Sequence, residues 1–269
     1  MVTDVYSLAG LHHLLHTDLT IFNLTGVDLT SLADRWAIGG LLTLFFAALA
    51  RWVRGVTNAG AVAGAVSCFV LYVGTGPGAF AALITVFGLA WITTRLGYRR
   101  KQKLGIAERR EGRNASQVFA NLGVATVCAA IYAFGHSKFA HNEIVLLLAI
   151  SAALSEAAAD TVASEVGQAF GEKARLITNW KSVPAGTNGA VSLTGTLAGI
   201  VAAGIVSSVC LVGGLLPRRW LAVSVGAAIL GMVVDSFLGA WLERRGLLNN
   251  DAVNFLSTLV AAAASSWLT

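Results

Sequence analysis

Charged residues are scarce in this chain. Asp, Glu, Lys and Arg together make up 12% of its 269 residues, whereas 56% are hydrophobic, and the mean hydropathy is +0.71. The few charges fall in clusters that separate apolar runs of about 17 to 25 residues, the length that crosses ~30 Å of hydrocarbon, and this excludes a large soluble domain. Cysteine is also rare: Cys68, Cys128 and Cys210 each stand alone within an apolar run. That pattern excludes metal-ligand spacing and reads as packing. No secretory signal with a basic start and a cleavage site is visible in the first thirty residues. There is no Walker A GK[ST] motif, and no repeat relates the two halves of the chain.

What is present reads as an all-α, polytopic transmembrane helical bundle of about eight spans, between seven and nine. Candidate spans are 36–53, 57–74, 78–96, 115–134, 142–162, 190–213, 219–242 and 252–268. The 29 glycines, in stretches such as "GAVAGA" (Gly60 to Ala65) and "GTLAG" (Gly195 to Gly199), signal close helix packing. Residues 1–35 form an expected N-terminal interfacial segment, and 36–269 a transmembrane catalytic domain. The N-terminal histidines His12, His13 and His16 have no acidic or cysteine partner at helical spacing, so metal binding there lacks support.

Seven Lys/Arg and two Asp/Glu lie between Gly97 and Asn114, which places that loop on the cytoplasmic side. By alternation the turn at Arg51 and Arg54, residues 163–189 and residues 243–251 share that side. "PRR" (Pro217 to Arg219) conflicts with this topology, because it falls outside; a re-entrant segment or a miscounted span would remove the conflict. The net charge of +5 speaks for orientation, not for a nucleic-acid partner.

Polar residues inside apolar spans are costly, and each is a candidate functional residue. In "SEAAADTVASEVG", Glu156, Asp160 and Ser164 recur every four residues along one helical stripe. Two carboxylates one turn apart repel unless a cation sits between them. Asp160 reads either as such a ligand or as a polar clamp between helices. Glu165 lies about 140° round the helix from Asp160 and joins a site only if the helix unwinds. In "GMVVDSFLGAWLE", Asp235 is a lone carboxylate flanked at four-residue spacing by Gly231 and Gly239. Two further stripes are Asn114, Gln117 and Asn121, and Asp251, Asn254 and Thr258. Asn58 opens the second span on the same side. Singly these residues read as interhelical hydrogen bonds; together they read as the wall of a polar cavity.

"KSVPAGTNGAVSLTGT", from Lys181 to Thr196, turns at Gly186 and offers Thr187 or Asn188 as a helix N-cap. Its free N–H groups suit either a helix cap without ligand or an anion site. Carboxylates bind Mg²⁺, which bridges to phosphate. On this reading Asp160, Asp235 and Glu156 hold Mg²⁺. Lys181 and the amides Gly186 to Gly189 hold phosphate, and the basic segment ending at Arg113 attracts an anionic head group or nucleotide. Lys181, these amides and both aspartates are expected to line one cavity.

In order, "GRNASQVFANLGVA", "DTVASEVG", "KSVPAGTNGAVSLTGT" and "DSFLGAWLE" resemble the integral-membrane family that includes transmembrane protein 19 and plant phytyl-phosphate kinase. The likeness covers about residues 36 to 268. Two of the blocks, "DTVASEVG" and "KSVPAGTNGAVSLTGT", are also distantly similar to the dolichol and phytol kinase group, which uses CTP. The resemblance implies phosphoryl transfer from a nucleoside triphosphate, with CTP expected, to an isoprenoid monophosphate such as phytyl or geranylgeranyl phosphate. Carried over by motif, it implicates Asp160, Ser164 and Glu165; Lys181, Gly186, Thr187, Asn188 and Gly189; Asp235 and Ser236; and Gln117 and Asn121. Arg113, Asn58 and Asn254 join them as substrate-binding candidates. A cytidylyltransferase making a CDP-lipid, and a transporter or flippase of anionic lipid, are the alternatives. The expected location is the cytoplasmic membrane, with the active site on its cytoplasmic face.

Overall fold

The computed structural model describes residues 32–134, 143–171 and 173–268. The expected interfacial segment and its histidines lie outside the described residues, apart from 32–35, which open the first helix. Every expected apolar run is helical: α1 (Leu32–Trp52), α2 (Asn58–Thr75), α3 (Pro77–Arg95), α5 (Ala115–Phe134), α6 (Glu143–Phe170), α7 (Leu193–Val212), α8 (Leu221–Trp241) and α9 (Asn250–Trp267). A six-residue helix, α4 (Tyr98–Lys103), lies in the basic loop. Six helical stretches, those containing α2, α3, α5, α6, α7 and α8, are long and apolar enough to cross a membrane. The chain is an all-α integral membrane protein. α1 and α9 are helical as expected but are not among those six. α1 nonetheless exposes Leu41, Leu44 and Phe45, with Trp36 and Trp52 near its ends, a lipid-facing pattern with aromatic residues at both interface levels.

The bundle is organised around α6, whose 28 residues run for about 42 Å. Its most apolar window is 72% buried, against 28–44% for the other spans, which makes it the central helix. Alanines at 149, 152, 153 and 157–159 let α3, α5, α7, α8 and α9 pack against it. At the α6/α7 crossing, a Cβ on Gly199 would lie 2.8 Å from the Ala159 carbonyl oxygen, so "GTLAG" is a packing surface as expected. "GAVAGA" divides. Gly60 abuts the Arg113 carbonyl, whereas a Cβ on Gly64 would meet nothing within 4 Å, because Gly64 borders a cavity.

Polar contacts also join the spans. A buried chain of serine hydroxyls runs Ser151–Ser224–Ser207–Ser155, at 2.8, 2.9 and 2.8 Å, and links α6, α7 and α8. Each such interhelical bond contributes roughly 0.6 kcal/mol.

Successive spans alternate in direction, which collects the turn at 53–57, the 97–114 segment, residues 171–192 and residues 242–250 at one end of the bundle. Val56 bridges Arg113, Gly97 abuts Ala169, Gly186 abuts Ile106 and Gly189 abuts Ala240. At the opposite end Gly78 meets Gly213, so the "PRR" turn lies there by simple alternation. The charge conflict at this turn therefore stands, since its two arginines lie at the end opposite the basic loops. Between α6 and α7 the chain forms a small antiparallel hairpin, β1 (Arg175–Leu176) with β2 (Ala190–Val191), pairing Arg175 with Val191 and Leu176 with Ala190.

Candidate active site

At the end where these loops gather, a cavity of about 810 Å³ opens between α5, α6, α8, α9 and the hairpin. Most of the residues singled out from sequence meet on its wall. α6 supplies Asp160, Ser164 and Glu165, and α8 supplies Asp235 and Ser236. Gln117 and Asn121 come from α5, Asn254 from α9, Arg113 from the basic loop, and Gly186 to Gly189 from the hairpin.

Asp160 on α6 and Asp235 on α8 face the same cavity, close enough to interact electrostatically. Glu156 lies one turn deeper and does not line the cavity. It is 1% exposed and is packed so tightly under α8 that a Cβ on Gly231 would lie 2.5 Å from its Cγ. This close approach explains the glycine four residues before Asp235. Glu156 Oε1 and Asp235 Oδ2 are buried without a hydrogen-bond partner. The nearby Ser257 hydroxyl does not resolve this, since it donates to the Asn254 carbonyl at 2.9 Å. Three carboxylates thus lie close together, Glu156 buried and the two aspartates half-buried on the cavity wall, where mutual repulsion favours binding of positive charge. Arg113 and Arg109 are cations on this wall, and Arg113 is the one anchored beside α6. Its backbone is held on both sides, by N–H donation to Gly55 O at 3.0 Å and acceptance from Thr57 N at 2.9 Å. Its guanidinium reaches the Thr161 hydroxyl at 3.4 Å.

The hairpin presents backbone to the same space. Thr187 N–H and its hydroxyl both donate to Pro184 O, at 3.2 and 2.8 Å, closing a turn in which Gly186 has φ +84°. The N–H groups of Gly186, Asn188 and Gly189 donate to no acceptor among the described residues. The expected N-cap is corrected: Ser192, not Thr187 or Asn188, caps α7, accepting from Gly195 N at 3.1 Å. Ser192 follows the short β2 strand, and the extended backbone of that strand carries the chain past Thr187 before the helix begins.

Two candidates stand elsewhere. Lys181 is exposed and absent from the cavity wall; its N–H donates to Asn179 Oδ1 and its carbonyl accepts from Leu176 N. The expectation that Lys181 shares the cavity is not met. Asn58 is also outside, its Oδ1 accepting from Arg51 Nε at the mouth of α2.

Glu165 reaches the cavity edge without any unwinding of α6, and it is already engaged. Lys101 Nζ pairs with Glu165 Oε2 at 2.5 Å, and the Thr94 hydroxyl donates to Oε1 at 3.1 Å. Lys101 is 1% exposed and also donates to the carbonyls of Thr93 and Thr94. Sequence reading missed this lysine because it is one of four cations in "RRKQK", with nothing to single it out before α4 folds against α6. Arg109 and Glu108 on the same wall were missed for the same reason. Among the polar stripes, Asn114 and Gln117 form a reciprocal cap of α5, N–H to side chain at 2.9 Å each way, and Asn121 Nδ2 donates to the Gln117 carbonyl. Asp251 accepts from Ser116, and Thr258 bonds the Phe255 carbonyl, so of that stripe only Asn254 faces the cavity.

With this geometry in place, the comparisons decide the family. Residues 41–262 match the model of the integral membrane protein family DUF92. The chain belongs to this family. It is 34% identical to an uncharacterized membrane protein, sll0875, of Synechocystis over 87% of the chain and 91% of the relative. Identity to the chloroplastic protein VTE6 of Arabidopsis thaliana is 31%, over 82% of the chain and 67% of the relative. An uncharacterized membrane protein of Methanocaldococcus jannaschii, MJ0933, is 31% identical over 87% and 94%. No solved structure matches. The matched region contains all four motif blocks and every residue of the cavity wall named above.

Proposed function

We propose that this DUF92 protein is a membrane-embedded phosphotransferase. On this reading it moves the γ-phosphoryl group of a nucleoside triphosphate, with CTP the expected donor, to an isoprenoid monophosphate such as phytyl or geranylgeranyl phosphate. The observation that carries the reading is the convergence of Asp160, Asp235, Arg113 and the hairpin amides on one polar cavity at the end of the bundle. The resemblance of the four blocks to the phytyl-phosphate kinase family supports the reaction class.

Phosphoryl transfer asks for positioning and charge compensation more than for covalent participation by the protein. The acceptor is already an anionic nucleophile, so a strong general base is not required, in keeping with the lack of histidine on the described cavity wall. Arg113 binds an acceptor or donor phosphate oxygen as a planar, permanently charged fork. The free amides of Gly186, Asn188 and Gly189 provide neutral donors for a second phosphate. Asn121, Gln117 and Asn254 orient polar groups of the nucleotide. Ser164 and Ser236 sit one turn beyond Asp160 and one residue beyond Asp235, where they can hold phosphate oxygens or ordered water.

The expected set of three metal-holding carboxylates is not met: Glu156 lies outside the cavity, and no group of three or more His, Cys, Asp or Glu among the described residues is placed to hold a metal. What remains is a pair of hard oxygen donors, Asp160 and Asp235, with Asp235 Oδ2 lacking a hydrogen-bond partner. That donor set suits an ion that shares its coordination with substrate phosphate and water. Asp160 and Asp235 would hold it, with Glu156 adding charge from behind. Bound there, the ion would offset the repulsion between the two phosphates. Glu165 is assigned a positioning role: through Lys101 it fixes the basic loop against α6.

A transporter reading calls for polar residues at the bilayer midplane and a repeat-related fold; here the polar wall lies at one end. The basic loops at that end support a cytoplasmic orientation of the cavity. Incubation of the purified protein with Mg²⁺, geranylgeranyl monophosphate and CTP labelled at either the α or the γ phosphorus tests the assignment. γ label in a lipid diphosphate supports the kinase. α label in the lipid identifies a cytidylyltransferase, and no transfer from any nucleotide argues for transport.

A further inference from the structure

Beside the polar cavity lies a second one, of about 560 Å³, bordered by α1, α2, α3 and α5. Its character is different. Phe46, Leu83, Ile84, Phe87, Trp91 and Leu122 form much of its wall. On the α2 side Gly60, Ala61 and Gly64 contribute almost no side chain, and the space beyond Gly64 is open for at least 4 Å from a Cβ position. Close packing of small residues would have closed such a gap in an ordinary helix interface. Here the same residues keep it open.

The two cavities meet. Glu108, Arg109, Arg113 and Asn121 border both of them, and Arg54 and Arg110 stand at the same end of the apolar one. Arg113 is fixed at the junction by its backbone bonds to Gly55 and Thr57. An apolar chamber bordered at one end by arginines, and sharing there a wall with a polar chamber lined by two carboxylates, is complementary to an amphiphile. That molecule has a long branched hydrocarbon chain and a single anionic head.

We propose that the α1–α3/α5 cavity holds the hydrocarbon chain of the lipid phosphate acceptor, and that Arg113 receives its head at the junction, so that the nucleotide occupies the hairpin side of the polar cavity. The inference rests on the lipid-phosphate reading of the polar site and adds to it where the acceptor lies and what selects it. The depth of the apolar chamber then sets the preference for chain length. Gly64 is a selectivity position, because any side chain placed there projects into the path of the isoprenoid.

The test uses full-length protein in nanodiscs and two readouts. In the first, geranylgeranyl monophosphate carrying a diazirine at the distal end of its chain is photo-crosslinked and the adducts are mapped. Adducts on α1 and α3 around Phe46 and Phe87, competed by unlabelled geranylgeranyl monophosphate and diminished in Gly64→Leu, are expected. Adducts scattered over the outer faces of the bundle and not competed would overturn the proposal. In the second, KM is measured for five-carbon and twenty-carbon acceptors. Each methylene excluded from the chamber costs about fourfold in affinity, so Gly64→Leu should raise KM for the long acceptor about tenfold or more and leave the short one within about twofold. Equal effects on both acceptors would contradict the assignment. Gly88→Leu is the control, since Gly88 also has open space at its Cβ position but borders neither cavity. It should change neither value. Specific cross-linking without phosphoryl transfer would retain the chain site and remove the kinase reading. Transfer with cross-links elsewhere would do the reverse.

Discussion

Arg113 and Lys181 looked alike in sequence, each a cation beside a glycine-containing motif, and the fold separates them. Arg113 is pinned where the two cavities share a wall, whereas Lys181 is exposed and lines neither. Arg113→Ala is therefore expected to lower kcat/KM by roughly 10²- to 10³-fold, the usual cost of losing a donor aimed at developing charge. Lys181→Ala should stay within about twofold of wild type; equal losses in the two variants, measured by lipid diphosphate formation, would show that the hairpin closes over substrate in a different arrangement. Lys101 carries a different kind of prediction. Removing it leaves Glu165 as a largely buried carboxylate at the cavity edge, held by Thr94. Breaking a buried pair on one side costs about 3 to 5 kcal/mol, so Lys101→Met should lower the thermal midpoint in detergent, and adding Glu165→Leu should restore much of it. The carboxylates were legible residue by residue because ionisable groups within apolar runs are conspicuous. Lys101 was not, because a lysine among cations gives no hint that it will be buried.

At the level of elements, the long spans were legible because eight apolar runs of the right length leave few ways to be anything other than helices. The hairpin between α6 and α7 was not. Two-residue strands have no periodicity to detect, and "AGTNG" is compatible with a helix cap as readily as with a turn. The structure shows both features, offset: the turn at Pro184 to Thr187 and the cap at Ser192. The hairpin is seated by Gly189, where φ is +74° and a Cβ would lie 2.4 Å from the Ala240 nitrogen and 2.5 Å from its Cβ. Gly189→Val cannot be accommodated without lifting the hairpin from α8. Because the bundle core lies elsewhere, the expected result is near-complete loss of activity with a thermal midpoint close to that of wild type. A collapse of the midpoint instead would show that the hairpin contributes to the fold as a whole.

For the whole molecule, alternation of the spans brings four loops far apart in sequence to one end of the bundle, and both cavities follow from that. Polar residues on α5, α6, α8 and α9 become a single wall only because each lies at the same end of its helix. Sequence stripes could suggest that wall but could not show which residues face it; of Asp251, Asn254 and Thr258, only Asn254 does. Glu156 illustrates the same limit, lying on the predicted stripe yet beneath the cavity floor. The apolar chamber was invisible in sequence, since its lining is what any span contains and its defining property is missing side-chain volume at Gly64. The central claim is that Asp160, facing Asp235 in the polar cavity, supports phosphoryl transfer to a lipid phosphate. It is tested most directly by following γ-labelled CTP and geranylgeranyl monophosphate in nanodiscs with wild type and Asp160→Asn. Label should enter a lipid diphosphate with wild type and fall by about 10²-fold or more in the variant while the fold persists; equal labelling by the two proteins, or none by wild type with any nucleoside triphosphate, would contradict the claim.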